Sequence, residues 1–208
     1  LLPGNVRAVG AQRIRLHQQA HLEHTVYVLL GDARHHQALL GQDGDESFLF
    51  QAAQRMVRAA VAQEGVDAAV LTGLAGGRAK VSLERVAINV QDARMPDNDG
   101  DCPVDLPVRA EGPAAYFATL PLRRIQAGLQ DAGIPVEISN SAGTYVCNLA
   151  MYCALDEIAL LGLRARAGFI HVPYLPQQAQ AHGAPGIPLE ETVRALTTAL
   201  EILARGDA

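Results

Sequence analysis

Val66-Asp67-Ala68-Ala69-Val70-Leu71-Thr72-Gly73-Leu74-Ala75-Gly76-Gly77-Arg78 is the stretch on which the fold turns. Its first seven residues form a short, mostly apolar run after a helical pattern, as expected of a strand covered on both faces in a central sheet. The loop 73–78 follows with three glycines, whose backbone freedom lets the chain approach a ligand closely. A glycine-rich loop after a buried strand is where open α/β sheets bind their ligands. Upstream, Phe50 to Ala62 sets Ala53, Val57, Ala60 and Val61 at helical spacing with Gln54, Arg55 and Arg58 between them, and Gly65 stops the helix.

Downstream, Val81 to Val90 reads as one extended segment and 91–100 as a long polar surface loop. Glu111-Gly112-Pro113 is expected to open a helix that Pro121 restarts, with Leu122, Ile125 and Leu129 along one face up to Gly133. Pro135 to Ser139 reads as a strand, Thr144 to Leu160 as a helix and Gly168 to Pro173 as a strand. The last helix begins at Pro188 with the stripe Leu189, Val193, Leu196, Leu200 and Leu203. The rhythm is βαβ. The first 47 residues differ: they hold five of the seven histidines and one convincing apolar run, a candidate strand at Thr25 to Leu30.

A chain of 208 residues, 49% hydrophobic and 19% charged, is long enough for one domain and short for two. The formal net charge of -5 and the lack of a basic cluster argue against nucleic acid as a partner. The apolar runs fall short of the roughly 20 residues that span a bilayer, so no membrane is expected. Cys102, Cys147 and Cys153, an odd number without CxxC spacing, give neither a disulfide framework nor a zinc knuckle and suit a reducing cytoplasm. His35-His36 has no carboxylate or cysteine at ligand spacing, so no metal is expected.

Three residues are candidates for chemistry. Cys147 falls in the first turn of the helix after the turn Asn140 to Gly143, where the helix dipole is expected to lower the pKa of a thiol. Met151 and Ala154 share its face, so a buried small hydrophobe is the competing reading. His171 stands at the C-terminal end of its strand, where a base for a cysteine nucleophile or a half-buried, carbonyl-bonded imidazole would both fit. Glu84 interrupts an apolar segment beside Arg85, either to orient the histidine or as part of an edge-strand surface pair.

The blocks Gly73 to Arg78, Leu83 to Asn89, Asp92 to Asn98, Ser139 to Asn148 and Gly168 to Pro176 resemble, in order and spacing, segments of the pyroglutamyl peptidase I family of cysteine peptidases. The likeness runs from about Phe48 to the final helix. It implies a three-layer α/β/α sandwich around a mixed, largely parallel sheet, often assembled as a homotetramer and needing no metal or organic cofactor. It implies a thiol protease that releases N-terminal pyroglutamate from peptides by acyl transfer, with Cys147 as nucleophile, His171 as base and Glu84 as its partner. By the same matching, Arg94 balances the oxyanion, the backbone of Leu74 bonds the lactam, and Tyr145, Met95 and Val146 pack the ring.

The family begins with a strand running into Gly-Phe-Glu-Pro-Phe-Gly, whose rings close the pocket, and this chain has no such motif. The reading is therefore a single peptidase domain, 1–208, with 1–47 divergent from the family and expected to be disordered or frameshifted. Two rivals follow: a catalytically impaired relative acting as a binding or assembly subunit, and a cysteine amidase of broader specificity.

Overall fold

Successive side chains of a strand point to opposite faces, and β3 (Ala68–Leu74) sends Ala69 and Leu71 into one apolar core and Ala68 and Val70 into another. Every residue from Ala68 to Gly73 is buried, as the interior position of the run predicts. In this computed structural model, which describes residues 11–17, 23–31, 49–63, 66–94, 96 and 101–205, β3 is an inner strand of a six-stranded sheet. The others are β1 (Ala11–His17), β2 (Glu23–Gly31), β4 (Val81–Glu84), β7 (Val136–Ser139) and β8 (Arg166–Val172), in the order β1-β2-β3-β8-β4-β7. The pairs β2/β3, β3/β8 and β4/β7 are parallel, and β1/β2 and β4/β8 antiparallel. Helices α1 (Leu49–Val61) and α3 (Val146–Leu160) pack on the face of Ala69 and Leu71, and α2 (Leu122–Asp131) and α5 (Leu189–Ala204) on the face of Ala68 and Val70. The result is a three-layer α/β/α sandwich with a mixed, largely parallel sheet. A short helix, α4 (Pro176–His182), follows β8.

Helix α3 is buried without a break from Asn148 to Asp156, because the sheet lies beneath it and α1 packs along its flank on the same face. On the opposite face α2 meets α5 closely: a Cβ added at Gly128 would lie 2.7 Å from Ile202 Cδ1. The stripe expected for α5 holds at Leu196, Leu200 and Leu203, which pack against this core, but not at its start: Leu189 and Val193 are 60% and 53% exposed, and Thr192, Ala195, Ala199 and Ala204 are buried with Leu203.

Two further expectations change. The segment 81–90 is not one strand: Arg85 separates β4 from β5 (Val86–Ile88), which leaves the main sheet to pair with β6 (Ala115–Phe117). The helix expected from Glu111 is absent: the chain turns there, with Gly112 N donating to Arg109 O, and is extended over Ala115–Phe117, with α2 starting only after Pro121. The carbonyls a helix would use are already taken. Asn89 Nδ2 donates to Arg109 O and Gly112 O, the Tyr152 hydroxyl to Pro113 O, and Asn89 N to Ala114 O. The strand expected at Thr25 to Leu30 lies within β2, whose register runs from Val26↔Ala68 to Gly31↔Gly73. The rest of 1–47, apart from β1, lies outside the described residues.

A buried ionic cluster ties α1, α3 and the 109–116 segment together. Asp156 Oδ2 accepts from Arg58 Nη2 at 2.7 Å, and its Oδ1 accepts from Arg109 Nε at 3.0 Å and the Tyr116 hydroxyl at 2.8 Å. Burial alone would raise the Asp156 carboxyl, but the hydrogen bonds from Arg58, Tyr116 and Arg109 hold it below the ordinary carboxylate range. Its stabilisation is therefore complete above the unfolded value near pH 4 and is lost as the pH falls below it. Asp156→Ala is expected to cost about 2–3 kcal/mol, below the usual figure for breaking a buried pair because both arginines reach solvent. A calorimetric Tm lower by about 4–12 °C at neutral pH, converging on wild type in acid, is the expected result.

Candidate active site

Strand parity determines which side chains meet. On β3, counting by twos from Ala69 and Leu71 brings Gly73 to the α3 face, and on β8 Ala167 and Phe169 bring His171 there. On β4, Val81 and Leu83 belong to the core under α2 and α5, so Ser82 and Glu84 face α3. Register aligns them: Gly73 pairs with His171, Ser82 with His171 and Glu84 with Phe169. The first turn of α3 lies over this patch, since a Cβ added at Gly73 would sit 3.2 Å from Cys147 Sγ and 2.9 Å from Phe169 Cζ. The structure thus brings Cys147, His171 and Glu84 to one face of the sheet.

The turn that delivers the thiol is set by local chemistry. Gly143 has φ +83°, a conformation that side-chain-bearing residues avoid, and its N–H donates to Ser141 Oγ at 3.1 Å. Asn148, fully buried beside the thiol, accepts from Ile88 N and donates to Ile88 O and Val90 O, fastening α3 to β5. Thr144 and Asp92 clamp one another: Asp92 N donates to Thr144 O at 2.9 Å and Thr144 Oγ1 to Asp92 O at 2.7 Å. That clamp holds the loop of Arg94 beside the start of the helix.

His171 is 5% exposed and Glu84 fully buried, with His171 Nδ1 2.8 Å from Glu84 Oε1. A carboxylate can only accept here, so Nδ1 carries a proton toward Glu84, which leaves Nε2 as the nitrogen that can act as a base in the neutral ring. Phe169, 4.6 Å away by ring centroids, packs against the imidazole. Burial alone would push the Glu84 carboxyl up, but the bond from His171, the nearby Ser139 hydroxyl and the bond from Arg78 hold it below its ordinary value. Glu84 is therefore ionised at neutral pH. Arg85, its sequence neighbour, is not its partner: Arg78 Nη1 reaches Glu84 Oε1 at 2.7 Å.

The thiol behaves differently from expectation. Burial, and then the negative charge of Glu84, push Cys147 up to about 12, outweighing the guanidinium of Arg78 and a backbone hydrogen bond to the sulfur. At neutral pH Cys147 is a thiol, and it must give its proton to a base as it attacks.

Of the remaining candidates, Leu74 ends β3, half-buried, where Ala75 N donates to Val172 O. Tyr145 is the N-cap of α3 and Val146 its first residue, both half-buried. Arg94 is exposed, and Met95 lies outside the described residues. Sequence reasoning missed Arg78, Phe50 and Asn148. Phe50, 4% exposed, meets the Tyr145 ring edge-on at 5.0 Å between centroids. Arg78 left one signal, as the only long cation in the glycine loop, six residues before Glu84.

Gly73 has no room for a side chain. Gly73→Ala is expected to displace the Phe169 ring and the thiol together, lowering kcat/KM about 10–100-fold with a far smaller change in KM, because a small misplacement of reacting atoms is costly. Steady-state kinetics on the variant check this.

A family model described as pyroglutamyl peptidase matches residues 44–206. Pyrrolidone-carboxylate peptidase 1 of Photorhabdus laumondii is 47% identical over 158 residues, 73% of this chain and 72% of that one. The pyrrolidone-carboxylate peptidase of Chromobacterium violaceum is 54% identical over 142 residues, 67% of this chain and 65% of that one. Among solved structures, pyroglutamyl peptidase I of Bacillus amyloliquefaciens is 40% identical with a TM-score of 0.70, covering 74% of this chain and 73% of that one. A mutant pyrrolidone carboxyl peptidase from P. furiosus is 38% identical with a TM-score of 0.73, covering 76% and 79%. By sequence and by fold, the chain belongs to the pyroglutamyl peptidase family.

Proposed function

We propose that this chain removes N-terminal pyroglutamate from peptides through a Cys147, His171 and Glu84 catalytic set. The observation that carries the reading is the buried His171–Glu84 bond on the sheet face beneath the Cys147 thiol. Sulfur attacks the pyroglutamyl carbonyl while His171 Nε2 takes the thiol proton. The same proton passes to the leaving amine nitrogen as the C–N bond breaks. Water, deprotonated by His171, then attacks the thioester and releases pyroglutamate and the thiol. The N–H groups at the start of α3 and the side chain of Arg94 stabilise the oxyanion.

The backbone of Leu74 bonds the lactam, and Tyr145 and Val146 pack the flat ring. Phe50 backs Tyr145 from behind. A peptide with an open glutamine end would place an ammonium in this apolar slot without a partner, which is the basis of selectivity. The chain is read as one domain across 1–208, acting in the cytoplasm without metal or organic cofactor. The free thiols of Cys102, Cys147 and Cys153 support a reducing compartment. Assembly into a homo-oligomer is supported by exposed Leu160, Leu161 and Leu163 at the end of α3. No helix of the described residues is long and apolar enough to cross a membrane.

The test is turnover of a pyroglutamyl fluorogenic substrate beside glutaminyl and prolyl analogues. Hydrolysis of the first alone is the expected result. Equal hydrolysis of all three contradicts the selectivity, and hydrolysis of none contradicts the activity.

A further inference from the structure

We propose that Arg78 is a positioning residue of the catalytic set, whose guanidinium offsets the charge of Glu84 so that the carboxylate orients His171 without holding the proton on Cys147. The proposal rests on the catalytic reading of Cys147, His171 and Glu84.

The geometry is specific. Arg78 Nη1 and His171 Nδ1 converge on one oxygen, Glu84 Oε1, at 2.7 and 2.8 Å, while Oε2 is buried and accepts no hydrogen bond among the described residues. The loop is shaped to deliver the arginine. Gly77 has φ +90°, Arg78 N donates to Ala75 O, and Gly76 lies so close under Tyr174 that an added Cβ would sit 2.2 Å from the hydroxyl oxygen. Arg78 Nη2 also reaches toward Ser141 O, at 3.4 Å, in the turn before α3. Arg78 therefore bridges the glycine loop, the orienting carboxylate and the turn that carries the nucleophile.

A problem of electrostatics gives this bridge a purpose. A carboxylate buried beside an imidazole anchors it, but the same negative charge opposes formation of a thiolate nearby. Glu84 has that effect on Cys147, and Arg78 has the opposite one. Among the described residues, the titratable and charged groups around the site are Glu84 from β4, His171 from β8, Cys147 from α3, Tyr145 at the N-cap of α3, Arg94 on the loop clamped to Thr144, and Arg78 itself. Glu137 of β7 is engaged with Ser82 Oγ at 3.2 Å, and Tyr174 lies over the loop. With Arg78 in place the charge of Glu84 is partly offset, and the proton that leaves sulfur for His171 moves against a smaller opposing charge.

The experiment is the pH dependence of Cys147 alkylation by iodoacetamide, read by peptide mass spectrometry, in wild type, Arg78→Gln and Arg78→Lys, with kcat/KM profiles alongside. Losing one charge at this range is expected to move the rise in alkylation upward by about one pH unit in Arg78→Gln, with a roughly tenfold lower rate at neutral pH. Arg78→Lys keeps the charge and should bring the profile back to within about 0.3 units of wild type. An arginine that merely braces the loop would lower rates without moving the profile.

If Arg78→Gln does not fold, nitrogen NMR of the wild-type guanidinium replaces it, and the Arg78 Nη signals should shift as Cys147 ionises. Loss of turnover in Cys147→Ala and His171→Ala establishes the catalytic set independently. With that set standing, a profile in Arg78→Gln coincident with wild type, or invariant Arg78 signals, overturns the role given to Arg78. Retained turnover in Cys147→Ala would instead remove the reading beneath it.

Discussion

Cys147→Ala is expected to abolish hydrolysis of a pyroglutamyl substrate, with kcat lower by about four orders of magnitude or more, while the fold survives. The nucleophile forms the bond that divides the reaction into two steps, and no neighbouring group can substitute for it. The other thiols are in the wrong places: Cys153 is fully buried between α1 and α3, and Cys102 is exposed on the loop that follows Asp101. Structurally the change is small, because it removes one sulfur from a half-buried position at a helix end. A Tm within about 3 °C of wild type is expected alongside the lost activity. Near-wild-type turnover in Cys147→Ala, with loss in Cys153→Ala, would show the nucleophile to be misassigned.

Glu84→Ala is the second large effect, and it falls on stability as well as rate. Its carboxylate is fully buried and receives both His171 and Arg78, so truncation strands an N–H of the imidazole and an unpaired guanidinium. Removing one partner of a buried ion pair costs about 3–5 kcal/mol, and partial exposure of Arg78 reduces this to about 2–4 kcal/mol. With its anchor gone the imidazole loses its tautomer and orientation, and kcat/KM should fall by about 10²–10⁴-fold.

The pH dependence has a defined sign. Glu84 is held below its ordinary carboxyl value in the folded protein, so its stabilisation is complete above the unfolded value near pH 4 and lost as the pH falls. Wild type and Glu84→Ala should therefore differ most at neutral pH and converge in acid, as thermal melts across that range would show. A constant difference from pH 7 to pH 3 would place the stabilisation in packing rather than charge.

What the sequence made legible follows from which forces act locally. The buried run of β3, the helix from Phe50 and the strand around His171 each carry their own periodicity, so they were readable without tertiary knowledge. The segment after Glu111 was not. Its proline and glycine look like a helix start, yet Asn89 and Tyr152, from distant elements, take the carbonyls that a helix would use. On α5 the stripe was legible from Leu196 to Leu203 but not at its start, where Leu189 and Val193 stay exposed and Thr192 and Ala195 are buried instead.

In the site, Cys147, His171 and Glu84 were each ambiguous alone, and only strand parity and register bring them to one face. The state of the thiol was illegible, because a helix-end argument cannot see the burial and the neighbouring carboxylate that dominate it. The partner of Glu84 was obscured by adjacency: Arg85 follows it in sequence, but the turn through Gly76 and Gly77 brings Arg78 there instead.

The assignment of Cys147 as nucleophile requires one covalent bond. Acid quenching of the protein during turnover of a pyroglutamyl ester, followed by peptide mass mapping, is predicted to find a single pyroglutamyl adduct on the peptide bearing Cys147, absent from Cys147→Ala. An adduct on Cys102 or Cys153, or steady turnover that persists in Cys147→Ala, would contradict it.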